Sequence, residues 1–171
     1  MKRSLISITI LFIALSANTQ HILSGNLVPN PGFEEFTYCP YDLAQISIAT
    51  PWNNAGGGTA DYFNTCSSYF DIQNMINSNP ILNGNAYAGI VLFSSIDINC
   101  REYLQVKLKS KLNIKNKYCI SYNFKRHKFS NFSIENIDVF ISKDYMYMPL
   151  SPPITLIDSL PQIKNKKGII T

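Results

Sequence analysis

The chain has 171 residues, 15% of them charged and 12% aromatic, with Tyr and Phe at ten each and a formal net charge of +4. That length suits one domain with a real core, and the wealth of Tyr, Phe, Ile, Thr and Asn favours strands over helices. The sequence shows no convincing amphipathic helix and no internal repeat.

The charge is unevenly placed. From Gln20 to Cys100 there is no Lys or Arg, but there are six acids: Glu34, Glu35, Asp42, Asp61, Asp71 and Asp97. From Arg101 onward thirteen basic residues face five acids. A basic half can serve nucleic acid or an anionic surface. Here the cations are scattered along strand-like stretches such as "VKLKSKLNIKNK", which reads as solvated strand faces and excludes a nucleic-acid partner.

In chain order, Lys2 and Arg3 precede an apolar run, Leu5 to Leu15, and then small and polar residues, "SANTQ". This is the anatomy of a secretory signal peptide, assigned to residues 1–19 with cleavage after Ala17 or Thr19. The run is shorter than the roughly 20 residues a spanning helix needs, so no transmembrane segment is expected after its removal. The first cysteine is Cys39, too far from the cleavage point for a lipoprotein anchor. The expected location is secreted or cell-surface, and residues 24–171 form the expected domain.

Segments Asn26–Asn30 and Phe33–Thr37 read as extended but broken by prolines, as at the edge or rim of a sheet. Gln45–Thr50, "QISIAT", alternates like a strand before Pro51 and Trp52. "NNAGGGTADYFNTC" is a glycine-rich loop ending in Tyr62 and Phe63. The polar stretch Ser67–Asn83 is a long loop with one short helical turn near Asp71–Ile76. Gly84–Phe93, "GNAYAGIVLF", is an apolar strand. In Glu102–Leu108, the residues Leu104, Val106 and Leu108 share a face; in Tyr118–Phe124, so do Tyr118, Ile120, Tyr122 and Phe124; then Ile137, Val139 and Ile141. "MPLSPPITLIDSLPQ" supplies a strand flanked by prolines. Strands at this spacing predict an all-β sandwich.

Export places the four cysteines in a disulfide-permissive compartment, and three pairings are open. Cys39 with Cys66 is favoured, because both lie in turn-rich sequence; closing that loop adds roughly 3 kcal/mol. A hairpin turning near Asn113 puts Cys100 and Cys119 out of register, leaving them free or paired only with distortion. No C-x-x-C spacing supports zinc. His21 and His127 stand in no nucleophile motif. Glu34 and Asp61 could be read as a glycosidase pair, but nothing in their spacing supports it, and no enzyme is expected.

Taken together, "NLVPNPGFEEFTYCP", "ATPWNNAGGGTADYFNTC", "GNAYAGI", "REYLQVKLKSKL", "KYCISYNF", "ENIDVFIS" and "PQIKNKKGIIT" resemble the N-terminal galactose-binding-like jelly-roll domain of exported surface proteins in gliding bacteria with type IX secretion. Those proteins often continue into an OmpA-like or a sorting domain. The resemblance covers roughly residues 25–171 and implies a jelly-roll β-sandwich, related to carbohydrate-binding modules and incomplete here by its last one or two strands. It implies a structural Ca²⁺ held by Glu34 with Asn30, although a solvated rim acid is the plainer reading of Glu34. Trp52 and Tyr62 are the candidate sugar-stacking residues. "ATPWNN" also resembles the family's core-facing Trp segment, and Tyr62 and Phe63 carry the same ambiguity. The implied role is a non-catalytic glycan-binding or adhesive module. The alternative is a structural module whose partners are cell-envelope proteins.

Overall fold

The computed structural model describes residues 25–96, 101–132, 137 and 139–146. The expected signal peptide, His21, Cys100 and the whole proline-flanked strand near the C-terminus lie outside the described residues. A 3-10 turn at Ile46–Ile48 is followed by β1 (Asn53–Asn54), β2 (Asp61–Asn64), α1 (Phe70–Ser78), β3 (Ala86–Gly89) and β4 (Leu104–Gln105). The strands form two antiparallel pairs, β1 with β4 and β2 with β3. Short strands, irregular loops and one helix make the described part mainly β.

The opening segment is a folded loop and not a rim strand. Asn30 and Phe33 have φ of +42° and +60°, and the Phe33 N–H closes a turn on the Asn30 carbonyl at 3.1 Å. Pro29 and Pro31 flank Asn30, so the chain there lacks two ladder donors. The Asn30 side chain replaces them. Its amide donates to the carbonyls of Glu35 (2.7 Å) and Thr50 (2.8 Å), and its oxygen accepts from the Glu35 N–H (3.0 Å).

"QISIAT" also departs from expectation. Its alternation is real in burial, since Ile46 and Ile48 are buried and Ser47 is exposed. The backbone nonetheless coils, with the Ala49 N–H reaching the Ile46 carbonyl at 3.0 Å. A left-handed Ala44 on one side and Pro51 on the other leave too little chain for a strand. One 3-10 turn inserts both isoleucines into the core.

The expected single turn within the long polar loop is a nine-residue helix. Ile72, Met75 and Ile76 fall at i, i+3 and i+4, one face of a helix, with Ile72 fully buried. Asp71 in the first turn complements the helix dipole. The Ser67 hydroxyl accepts from the Tyr69 N–H (3.1 Å), and the Gln73 side chain donates to the Ser67 carbonyl. Pro80 disfavours helical geometry at Asn79, where the helix ends.

β2 and β3 pair with Tyr62 opposite Ala88 and Phe63 opposite Tyr87. The Phe63 and Tyr87 rings stack with centroids 4.7 Å apart. Gly89 makes that approach possible, because a Cβ there would stand 2.7 Å from the Phe63 ring. The core gathers Ile46, Ile48, Ala49, Ala60, Tyr62 and Ala86, with Phe33, Trp52, Ile90 and Leu104 packed against them. In β4 the Gln105 side-chain amide acts like a peptide group. It donates to the carbonyls of Asn54 (2.8 Å) and Met146 (2.9 Å) and accepts from the Met146 N–H (3.0 Å).

The expected strands Gly84–Phe93 and Glu102–Leu108 contain β3 and β4, but both observed strands are shorter. Residues 118–124 form no strand among the described residues, although their apolar alternation is intact.

Cys39 and Cys66 form a disulfide across 27 positions, with Cα atoms 5.6 Å apart. Cys119 is an exposed free thiol. By loop-entropy arithmetic the crosslink contributes about 3–4 kcal/mol. A Cys39→Ser, Cys66→Ser double variant is expected to lose about that much in urea unfolding. A loss under about 1 kcal/mol would show that the non-covalent contacts at this junction suffice.

Candidate functional site: a tyrosine pair beside the disulfide

The loop from Phe36 to Gln45 is short, irregular and heavily tied down. The Thr37 N–H donates to the Ile48 carbonyl at 3.0 Å. Pro40 is buried, and its carbonyl accepts from the Ser67 hydroxyl at 2.5 Å. The Gln45 side-chain oxygen accepts from the N–H groups of Tyr41 (2.9 Å) and Asp42 (3.1 Å). The Ala44 N–H donates to Asp61 at 2.7 Å, and the disulfide fastens Cys39 to the turn after β2.

On this fixed backbone Tyr38 and Tyr41 stand 49% and 61% exposed, their rings stacked with centroids 5.9 Å apart and planes 23° apart. Phe36 lies at the edge of the same loop and packs on Tyr62 at 6.2 Å. Tyr69 and Phe70 are exposed just beyond the Cys66–Ser67 attachment. Tyrosine has only two side-chain torsions, so such rings offer contact area at low entropic cost.

The residues singled out from sequence fall elsewhere. Tyr62 is fully buried. Its hydroxyl donates to the Phe33 carbonyl (2.8 Å) and accepts from the Asn64 amide (2.8 Å), and burial raises its pKa. It presents no ring face to a ligand. Trp52 is half-buried, packs on Phe33 at 4.9 Å and donates its indole N–H to the Asn30 carbonyl at 2.8 Å. Both rings are engaged in packing and hydrogen bonds around the opening loop, whereas Tyr38 and Tyr41 are among the exposed aromatic side chains. The sequence signal for that pair was the "YCPY" stretch, two tyrosines bracketing a cysteine and a proline that cannot move.

Glu34 and Asn30, the implied calcium ligands, each hold main-chain groups by hydrogen bonds. The Glu34 carboxylate accepts from the Asn85 N–H at 2.7 Å, and the Asn30 amide donates to the Glu35 and Thr50 carbonyls. Among the described residues no three His, Cys, Asp or Glu side chains are placed to hold a metal.

Asp61 carries the most perturbed carboxylate near the site. Burial raises its pKa, the Ala44 hydrogen bond lowers it, and the charges of Glu102 and Asp42 raise it further. Burial, with the Asp61 charge, pushes the neighbouring Tyr87 phenol up to about 12. Because the folded protein binds the Asp61 proton more tightly than the unfolded chain, this group weakens the fold at neutral pH. The penalty fades as pH falls through the raised value towards the ordinary 3.8. Asp61→Asn keeps an acceptor for Ala44. Its stability relative to the parent is therefore expected to rise from acid to neutral pH in paired urea titrations; a flat difference would contradict this.

Ser78 and His127 approach each other, Oγ to Nε2, at 3.4 Å. The Phe129 N–H points at His127 Nδ1 (3.4 Å) and the Ser78 hydroxyl donates to the Met75 carbonyl (3.0 Å).

Comparison with protein-family models, curated proteins and solved structures returned no match for this chain.

Proposed function

We propose that this chain is an exported, non-catalytic jelly-roll module that contacts glycans in adhesion at the cell surface. The observation that carries this reading is the exposed, stacked Tyr38–Tyr41 pair on a loop held by the Cys39–Cys66 disulfide. Aromatic faces pack against the apolar faces of sugars, and a rigid ring pair does so without ordering the loop first. The leader-like residues 1–19 and the disulfide support export. The short antiparallel strand pairs support the sandwich. A second reading, an envelope module that binds proteins, draws on the exposed apolar side chains Ile114, Phe129 and Phe132; pull-down of envelope proteins by a chain silent towards sugars would favour it.

The test is a glycan array followed by titration calorimetry on the parent and on Tyr38→Ala with Tyr41→Ala. Both rings are exposed, so the variant keeps its fold. Binding is expected in the parent and weakened about tenfold or more in the variant. Silence of the parent at millimolar sugar, or equal binding by the variant, would sink the proposal.

A further inference from the structure

We infer that this chain associates with copies of itself head to tail, the acidic N-terminal part of one copy seating on the basic segment 101–128 of the next. The charges are sharply divided along the described chain. Residues 25–96 contain Glu34, Glu35, Asp42, Asp61 and Asp71 and no Lys or Arg. Residues 101–132 contain nine Lys and Arg and a single acid, Glu102. All nine cations are exposed, as are Glu34, Glu35, Asp42 and Asp71. Glu102, the one acid of the basic segment, is buried and adds little to that surface.

Among the described residues no ion pair joins the acids of residues 25–96 to the cations of residues 101–132. Glu34 takes its hydrogen bond from the Asn85 N–H, Asp42 from the Leu43 N–H and Asp61 from the Ala44 N–H. On the basic side, Arg126 donates to the Ser130 carbonyl, and Lys128 lies over the Phe129 ring at 4.8 Å. Exposed charges of opposite sign on two segments of one chain steer and orient encounter between copies. A polyanion would satisfy the basic segment but be repelled by the acidic part, and a polycation the reverse. A second copy offers each region its complement at once. Because the two patches differ, the contact is heterologous and repeats from copy to copy without needing to close.

Sedimentation velocity on the whole chain tests this. At an ionic strength of about 0.01 M, where the screening length is about 30 Å, the weight-average mass should rise with protein concentration; at about 1 M, with about 3 Å, it should stay that of a monomer. Glu35→Lys with Asp42→Lys reverses one patch, and Lys111→Glu with Lys115→Glu and Lys117→Glu reverses the other. All five residues are exposed, and circular dichroism verifies the fold of each variant. Each variant alone should associate about tenfold more weakly or not at all, and an equimolar mixture of the two should associate again. A monomer at every salt concentration would overturn the inference. So would association that survives high salt or either reversal, a mixture that stays monomeric, or a monomer that instead binds an added polyanion.

Discussion

Asn30→Ala is expected to cost about 3–4 kcal/mol, a large share of the stability of a domain this size. The side chain is 4% exposed and makes three hydrogen bonds to main-chain groups of Glu35 and Thr50. Removing it strips partners from polar groups in a part-buried setting, at about 1 kcal/mol or more each. Alanine must also hold φ at +42°, a left-handed conformation that costs about 1 kcal/mol outside Gly, Asn and Asp. Asn30→Gly separates the two contributions, since glycine relieves the backbone but restores no amide; it should recover about 1 kcal/mol of the loss. Urea unfolding of both variants, with unchanged m-values, measures this. An Asn30→Ala loss below about 1 kcal/mol would mean the loop is held by Trp52 and Phe33 alone.

The second large effect is expected at Glu102. This carboxylate is 6% exposed. It accepts from the Thr59 N–H (3.0 Å), the Thr59 hydroxyl (2.9 Å) and the Val91 N–H (2.7 Å). Its own N–H donates to the Val91 carbonyl at 2.7 Å. One side chain therefore ties the glycine-rich loop to the chain beyond β3 and to the entrance of β4. Glu102→Ala leaves three donors without their acceptor, for a loss of about 3–4 kcal/mol. Glu102→Gln keeps one oxygen but turns an NH₂ group towards a donor, for about 1–2 kcal/mol. Equal losses in the two variants would contradict this account, because the carboxylate's acceptor capacity would then be irrelevant. Gly58 is part of the same joint, since a Cβ there would sit 3.0 Å from the Glu102 side chain.

Parts of this molecule were legible in the sequence for identifiable reasons. Cys39 and Cys66 lie in turn-rich stretches where side chains are free to meet, and they do. The buried alternation of Ile46 and Ile48 was visible, but burial of alternate side chains does not by itself distinguish a strand from a tight turn wedged between a left-handed residue and a proline. Helix α1 was obscured because Asn, Gln and Ser dilute its apolar face to Ile72, Met75 and Ile76. The aromatic roles were the least legible. A Tyr or Trp reads the same in the core and on a surface until its polar handle is traced. Tyr62 and Trp52 each give theirs to a main-chain carbonyl of the opening loop. Asn30 entered as a metal ligand only through the resemblance; nothing in the sequence signalled that its amide ties the opening loop to Thr50.

The Gln105 amide has a consequence for how copies of this protein can meet. A two-residue strand at the margin of a small sheet normally leaves main-chain donors and acceptors open to any extended peptide. Gln105 fills one side of β4 from within, joining Asn54 to Met146 through a side chain that mimics one more rung. An extended peptide seeking those groups of Asn54 and Met146 would first have to displace the Gln105 side chain.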